Sequence, residues 1–162
     1  MYDDTTHSGG DIYDGMDPSG SYTSTPASFI VTESLTIQSQ INKEYDCSDH
    51  FFVITSGSTF GTWSWFSESD RIKVVWNCDQ LMVYYPGGDL SADSATVGLH
   101  YLTIVYTSSS VSATTDVDGV DLSTDGSFWS EVWLWMGADD DAFSGSEFFN
   151  AMVTTCDSCI LN

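Results

Sequence analysis

Gly98-Leu99-His100-Tyr101-Leu102-Thr103-Ile104-Val105-Tyr106-Thr107 is the stretch from which the fold is read. His100, Leu102, Ile104 and Tyr106 share one parity, and Tyr101, Thr103 and Val105 share the other. A repeat of two is the side-chain period of a strand, whereas a helix repeats every ~3.6 residues. The β-branched and aromatic side chains in this run suit a pleated, half-buried surface.

Working outward, the same alternation returns. Arg71–Asn77 sets Ile72, Val74 and Trp76 against Arg71, Lys73 and Val75, and Gln80–Tyr85 follows. Ser34–Asn42 sets Leu35, Ile37 and Ile41 against Thr36, Gln38 and Gln40. His50–Thr55 is a short apolar run, and Thr62–Phe66 is aromatic. Val111–Val117, Glu131–Met136 and Glu147–Thr155 complete the series. About nine or ten strands therefore recur roughly every ten residues, separated by Gly, Asp and Ser turns. No segment shows helical periodicity over ~12 residues. The expected fold is all-β, an antiparallel two-sheet sandwich of jelly-roll type.

Composition agrees with this. The chain has 162 residues, 41% apolar and 14% aromatic, enough to bury one core. Three Lys+Arg against 24 Asp+Glu give a net charge of −21. The acids are 19 Asp and 5 Glu, and Asp favours turns and caps over helices. Lys43, Arg71 and Lys73 cannot line a basic groove, so neither nucleic acid nor an anionic membrane is an expected partner. No apolar run reaches the ~18 residues that membrane insertion needs. Such acidity suits either high salt, which screens self-repulsion, or a surface holding divalent cations.

Three segments are expected. Residues 1–11 form an acidic Gly/Ser/Thr-rich arm, held by the chain's own sheet or by a neighbouring subunit. Residues 12–155 form the sandwich, and 156–162 a C-terminal tail. The chain opens Met1-Tyr2-Asp3-Asp4, acidic where a secretory signal needs basic residues, so no signal is expected. Cys47, Cys78, Cys156 and Cys159 allow two disulfides in any of three pairings, or zinc. A redox role for Cys156-Asp157-Ser158-Cys159 would need a strand-to-helix turn, and here the motif follows a strand.

Three ordered stretches resemble the laminin-G-like, concanavalin A-like jelly-roll family. Ile12-Tyr13-Asp14-Gly15-Met16-Asp17 is similar to its opening aromatic–Asp–Gly turn. Ser34-Leu35-Thr36-Ile37-Gln38-Ser39-Gln40-Ile41 follows, with Gln40 where the family often has Trp. Gly98–Tyr106 and then Val111–Gly119, ending Asp116-Val117-Asp118-Gly119, resemble a paired-strand signature, with Leu99 in a Trp position. Leu134–Asp139, Phe143-Ser144-Gly145 and Phe149–Val153 resemble the closing strands. The resemblance implies a family of binding and adhesion modules that also holds glycosidases and viral surface proteins.

Catalytic patterns are sparse. Glycosidases of this fold place three carboxylates on one strand face as E-x-D-x-(x)-E, and Glu68-Ser69-Asp70 lacks the third acid. Glu131 has no acid two or four positions on. No G-x-S-x-G occurs, and the spacing of His7, His50 and His100 favours no triad. A calcium-like site is the metal reading: Asp116 and Asp118 in one loop, Asp139, Asp140 and Asp141 in another. The bland alternative is that these Asp fill solvated turns. Trp63, Trp65, Trp133 and Trp135 form i,i+2 pairs, each on one face, and serve either the core or a ligand or protein interface.

The resulting expectation is a non-enzymatic structural or adhesion protein of an extracellular assembly, a virion surface decoration or fibre subunit in particular. It would be homo-oligomeric, with protein subunits as partners. A calcium-dependent carbohydrate-binding module is the alternative, and a glycoside hydrolase the remote one.

Overall fold

The computed structural model describes residues 2–4, 27–43, 49–58, 67–76, 80–94, 96–117, 119–139 and 149–156. Among the described residues there are twelve strands and no helix. In chain order they are β1 (Tyr2–Asp4), β2 (Ala27–Ile30), β3 (Ser34–Lys43), β4 (Asp49–Thr55), β5 (Arg71–Trp76) and β6 (Gln80–Tyr85). There follow β7 (Gly88–Asp93), β8 (Gly98–Thr107), β9 (Ser110–Thr115), β10 (Asp121–Asp125), β11 (Glu131–Asp139) and β12 (Phe149–Cys156). Two six-stranded sheets result, in the orders β1-β12-β3-β8-β9-β10 and β2-β11-β4-β5-β6-β7. Every pairing is antiparallel. This is the jelly-roll sandwich that the alternation predicts.

The core lies between the sheets. Leu35 and Ile37 of β3, with Leu102, Ile104 and Tyr106 of β8, meet Phe52, Ile54, Ile72, Val74 and Trp76 of the other sheet. All are essentially without solvent exposure, and each such side chain contributes about 1.5–3 kcal/mol of burial free energy. His100, on the same parity as Leu102, sits where this core meets the end of the sandwich. Its ring centroid is 6.0 Å from that of Trp76.

Strand β5 is buried along its whole length, on both faces. Ile72, Val74 and Trp76 join the core, while Val75 packs with Val53, Met82 and Trp135 in a second cluster on the outer side of its sheet.

Turn chemistry fixes the register. Pro86-Gly87 joins β6 to β7, with Gly87 at φ +113°, the left-handed region open to glycine. The β8–β9 turn is closed by Ser109 N–H donating to Thr107 Oγ1 at 3.1 Å. Strands β7 and β10 keep only a thin hydrophobic pattern: Leu90, Ala92 and Leu122 pack partly on the core, between outward Asp and Ser residues. Both are edge strands that bury alternate residues only partly, so Asp and Ser suffice. The arm meets its own sheet through β1, with Asp3 opposite Met152. The expected strand at Thr62–Phe66 lies outside the described residues.

Candidate functional site

The outer face of the β3–β8–β9 layer is uncharged until its margin. Strand alternation turns Gln38 and Gln40 outward on β3, and Tyr101 and Thr103 outward on β8. The register sets Gln40 opposite Tyr101 and Gln38 opposite Thr103. Tyr101 is 52% exposed although it is a large aromatic. Its hydroxyl stands 3.5 Å from Gln40 Nε2, at the long limit of a hydrogen bond. Gln38, Ser39, Gln40, Tyr101, Leu102 and Thr103 line a shallow hollow of about 270 Å³. Leu99, also exposed, continues the apolar strip from Tyr101 along β8.

Asp116, just past β9, closes that row. Its Oδ1 accepts the Tyr101 N–H at 3.1 Å and lies 3.1 Å from His100 Nδ1. The other ring nitrogen of His100 is 2.8 Å from Thr96 Oγ1 and 3.1 Å from the Val97 carbonyl. With Nδ1–H donating to Asp116, Nε2 accepts the Thr96 hydroxyl proton. Hydroxyl, imidazole and carboxylate thus stand in the order of a nucleophilic relay. In that tautomer Nε2 has no proton for the Val97 carbonyl 3.1 Å away, and the hollow opens on the outer face, whereas His100 faces Trp76. The arrangement works as a clamp that fixes the β8 backbone under Tyr101.

A second polar cluster occupies the outer side of the other sheet. Lys73 is fully buried, its Nζ 3.3 Å from Glu68 Oε1 and 5.2 Å from the Tyr84 ring centroid. Burial pushes its pKa below the usual lysine value, opposed by the Glu68 carboxylate. Arg71 bridges Glu68 at 3.0 Å and chelates Asp70 at 2.9 and 3.2 Å. The hydrogen bond from Arg71 holds the Asp70 carboxyl below its ordinary range. Two of the chain's three cations are therefore engaged here.

The residues singled out from sequence fall as follows. Trp135 is 5% exposed, donates from Nε1 to Thr55 Oγ1 at 3.1 Å, and offers no open face. Trp133 is half-buried. Trp63 and Trp65 lie outside the described residues, as do Asp118, Asp140 and Asp141 and Cys47, Cys78 and Cys159. Of the acidic loop residues, Asp116 belongs to the clamp, and Asp139 ends β11 on the opposite sheet. Cys156 ends β12 opposite Ser34. Among the described residues no three His, Cys, Asp or Glu side chains converge to hold a metal. Sequence reasoning missed Tyr101 and Gln38. The available signal was an outward parity with an aromatic, two amides and no charge in so acidic a chain.

No protein-family model and no curated protein matches the chain. Solved structures do. A SPRY domain of human HERC1 is similar, at 13% identity and a TM-score of 0.52, covering 82% of this chain and 80% of that one. Alginate lyase A1-II', as a double-cysteine variant, is similar at 14% identity and a TM-score of 0.50, covering 80% of this chain and 65% of the enzyme. A legume lectin-like domain from Entamoeba histolytica reaches 14% identity and a TM-score of 0.47, covering 83% of this chain and 81% of that one. At these identities the likeness is one of fold alone: the chain has a jelly-roll β-sandwich architecture.

Proposed function

We propose that the protein is a non-catalytic attachment module that binds glycans on the outer face of the β3–β8 layer. The observation that carries this is the half-exposed Tyr101 ring beside the Gln38 and Gln40 amides and the Thr103 hydroxyl, around one hollow. Sugar rings present apolar C–H faces that stack on aromatics, and hydroxyls that amides both donate to and accept from. The Asp116–His100 clamp anchors the backbone of the stacking residue, so little ordering is left to occur on binding. A structural or adhesion role in an extracellular assembly, a virion surface among them, is the setting in which such a module works. The test is a glycan array probed with the wild-type chain and Tyr101→Ala. We expect discrete hits that weaken about tenfold or more in the variant. A flat wild-type array, or hits indifferent to Tyr101, would overturn the proposal.

A further inference from the structure

The register carries a consequence for what this face admits. One cross-strand row runs Asp3, Met152, Gln38, Thr103, Thr114, Asp121 over all six strands. At ~4.8 Å per strand it is about 24 Å wide. It is uncharged in the middle and ends in an aspartate at both edges. The neighbouring row runs from Gln40 through Tyr101 to Asp116, whose side chain is 38% exposed. Two of the three Lys and Arg side chains, Lys73 and Arg71, are buried on the other sheet against Glu68 and Asp70. Lys43 stands three positions beyond Gln40 on β3, about 10 Å along the strand.

We infer that the Tyr101 site is selective for uncharged glycans and rejects carboxylated or sulfated ones, with Asp116 the residue that sets this selectivity. The inference rests on the glycan-binding reading above. Asp116 does not line the hollow, but its carboxylate is held on the backbone N–H of Tyr101, so an anionic sugar stacked on that residue would meet this charge at short range, inside the field of a chain carrying −21. The carboxylate cannot readily turn away, because Oδ1 is held by the Tyr101 N–H and by His100.

The experiment is binding to matched oligosaccharides, neutral against uronate or sulfated on the same backbone linkage. It uses the wild-type chain, Tyr101→Ala and Asp116→Asn, at low and high salt. The Asn carboxamide oxygen still accepts the Tyr101 N–H, so the variant removes charge rather than support. In the wild type, neutral ligands should bind at least about tenfold tighter than their acidic partners at low salt. High salt should shrink that ratio. Asp116→Asn should raise the ratio of acidic to neutral affinity several-fold, whatever the loosened clamp does to both together. Acidic ligands that bind as tightly as neutral ones, through Tyr101, would overturn the selectivity and leave glycan binding standing. An unchanged ratio in Asp116→Asn would remove Asp116 from the role. Absence of any Tyr101-dependent binding would sink both readings together.

Discussion

Tyr106 and Trp129 are joined twice at one point: the Tyr106 hydroxyl donates to the Trp129 carbonyl at 2.5 Å and accepts the Trp129 N–H at 2.9 Å. Tyr106 is fully buried on β8, and Trp129 lies just before β11, so this pair ties the two sheets together. Phe128 stacks on the same phenol at 6.0 Å. Tyr106→Phe keeps the ring and strands a backbone donor and acceptor. It should cost about 1–3 kcal/mol in denaturant unfolding, with the native sheet spectrum retained. A loss below about 0.5 kcal/mol would show that water replaces the hydroxyl without penalty.

The same phenol gives the protein an alkaline limit. Burial pushes the Tyr106 pKa up to about 12, partly offset by the Trp129 N–H. An unfolded tyrosine ionises near 10. The folded pKa is the higher one, so this contribution is complete below about pH 10 and declines as pH rises towards about 12. Urea midpoints taken across that range should fall more steeply for the wild type than for Tyr106→Phe. Parallel slopes would contradict the assignment.

How much of this was legible beforehand depends on the residue. Period-two runs such as Leu35–Ile37 and Leu102–Tyr106 announced both the strands and their inner faces, because one face of each is buried. Edge strands β7 and β10 gave a weaker sign, only Leu90, Ala92 and Leu122 facing the core, since pairing on one side and partial burial leave Asp and Ser unpenalised. The doubly buried β5 misled differently. Arg71 and Lys73 read as outward residues, yet Glu68, upstream of the strand, folds over them and lets that face be covered. Tyr101 was visible as a parity but not as a site, because its partners Gln40 and Asp116 are 61 and 15 positions away.

That buried charge group yields an asymmetric prediction. Lys73→Met replaces a buried ammonium with an apolar chain of similar length, and such exchanges are neutral or stabilising. Glu68→Gln takes the facing carboxylate from two buried cations and should cost about 2 kcal/mol. Thermal unfolding of the two variants should therefore differ in sign or in size, with Glu68→Gln the less stable. The reverse order would mean that the ion pair itself holds this face.

Gly119 separates backbone strain from crowding. Its φ is +77°, and a Cβ there would meet nothing within 4 Å. Gly119→Ala should cost about 1 kcal/mol through the left-handed backbone alone. Gly119→Asn should cost less, because Asn tolerates that region, and Gly119→Val should cost most. A loss that grew with side-chain volume, with Asn costing more than Ala, would place the constraint in packing.

Calcium dependence can be decided at the Tyr101 face. The lining residues carry two amides and three hydroxyls, and the nearby Asp116 carboxylate is already committed to His100 and to a backbone N–H. Hard cations want six to eight oxygens, several of them free carboxylates. Glycan binding through Tyr101 should therefore persist in a chelator, within about twofold of its affinity in millimolar calcium, and Asp139→Asn should leave it unchanged. Loss of binding on chelation, restored by calcium and abolished in Asp139→Asn, would transfer the ligand site to Asp139 at the end of β11 and leave Tyr101 an ordinary surface residue.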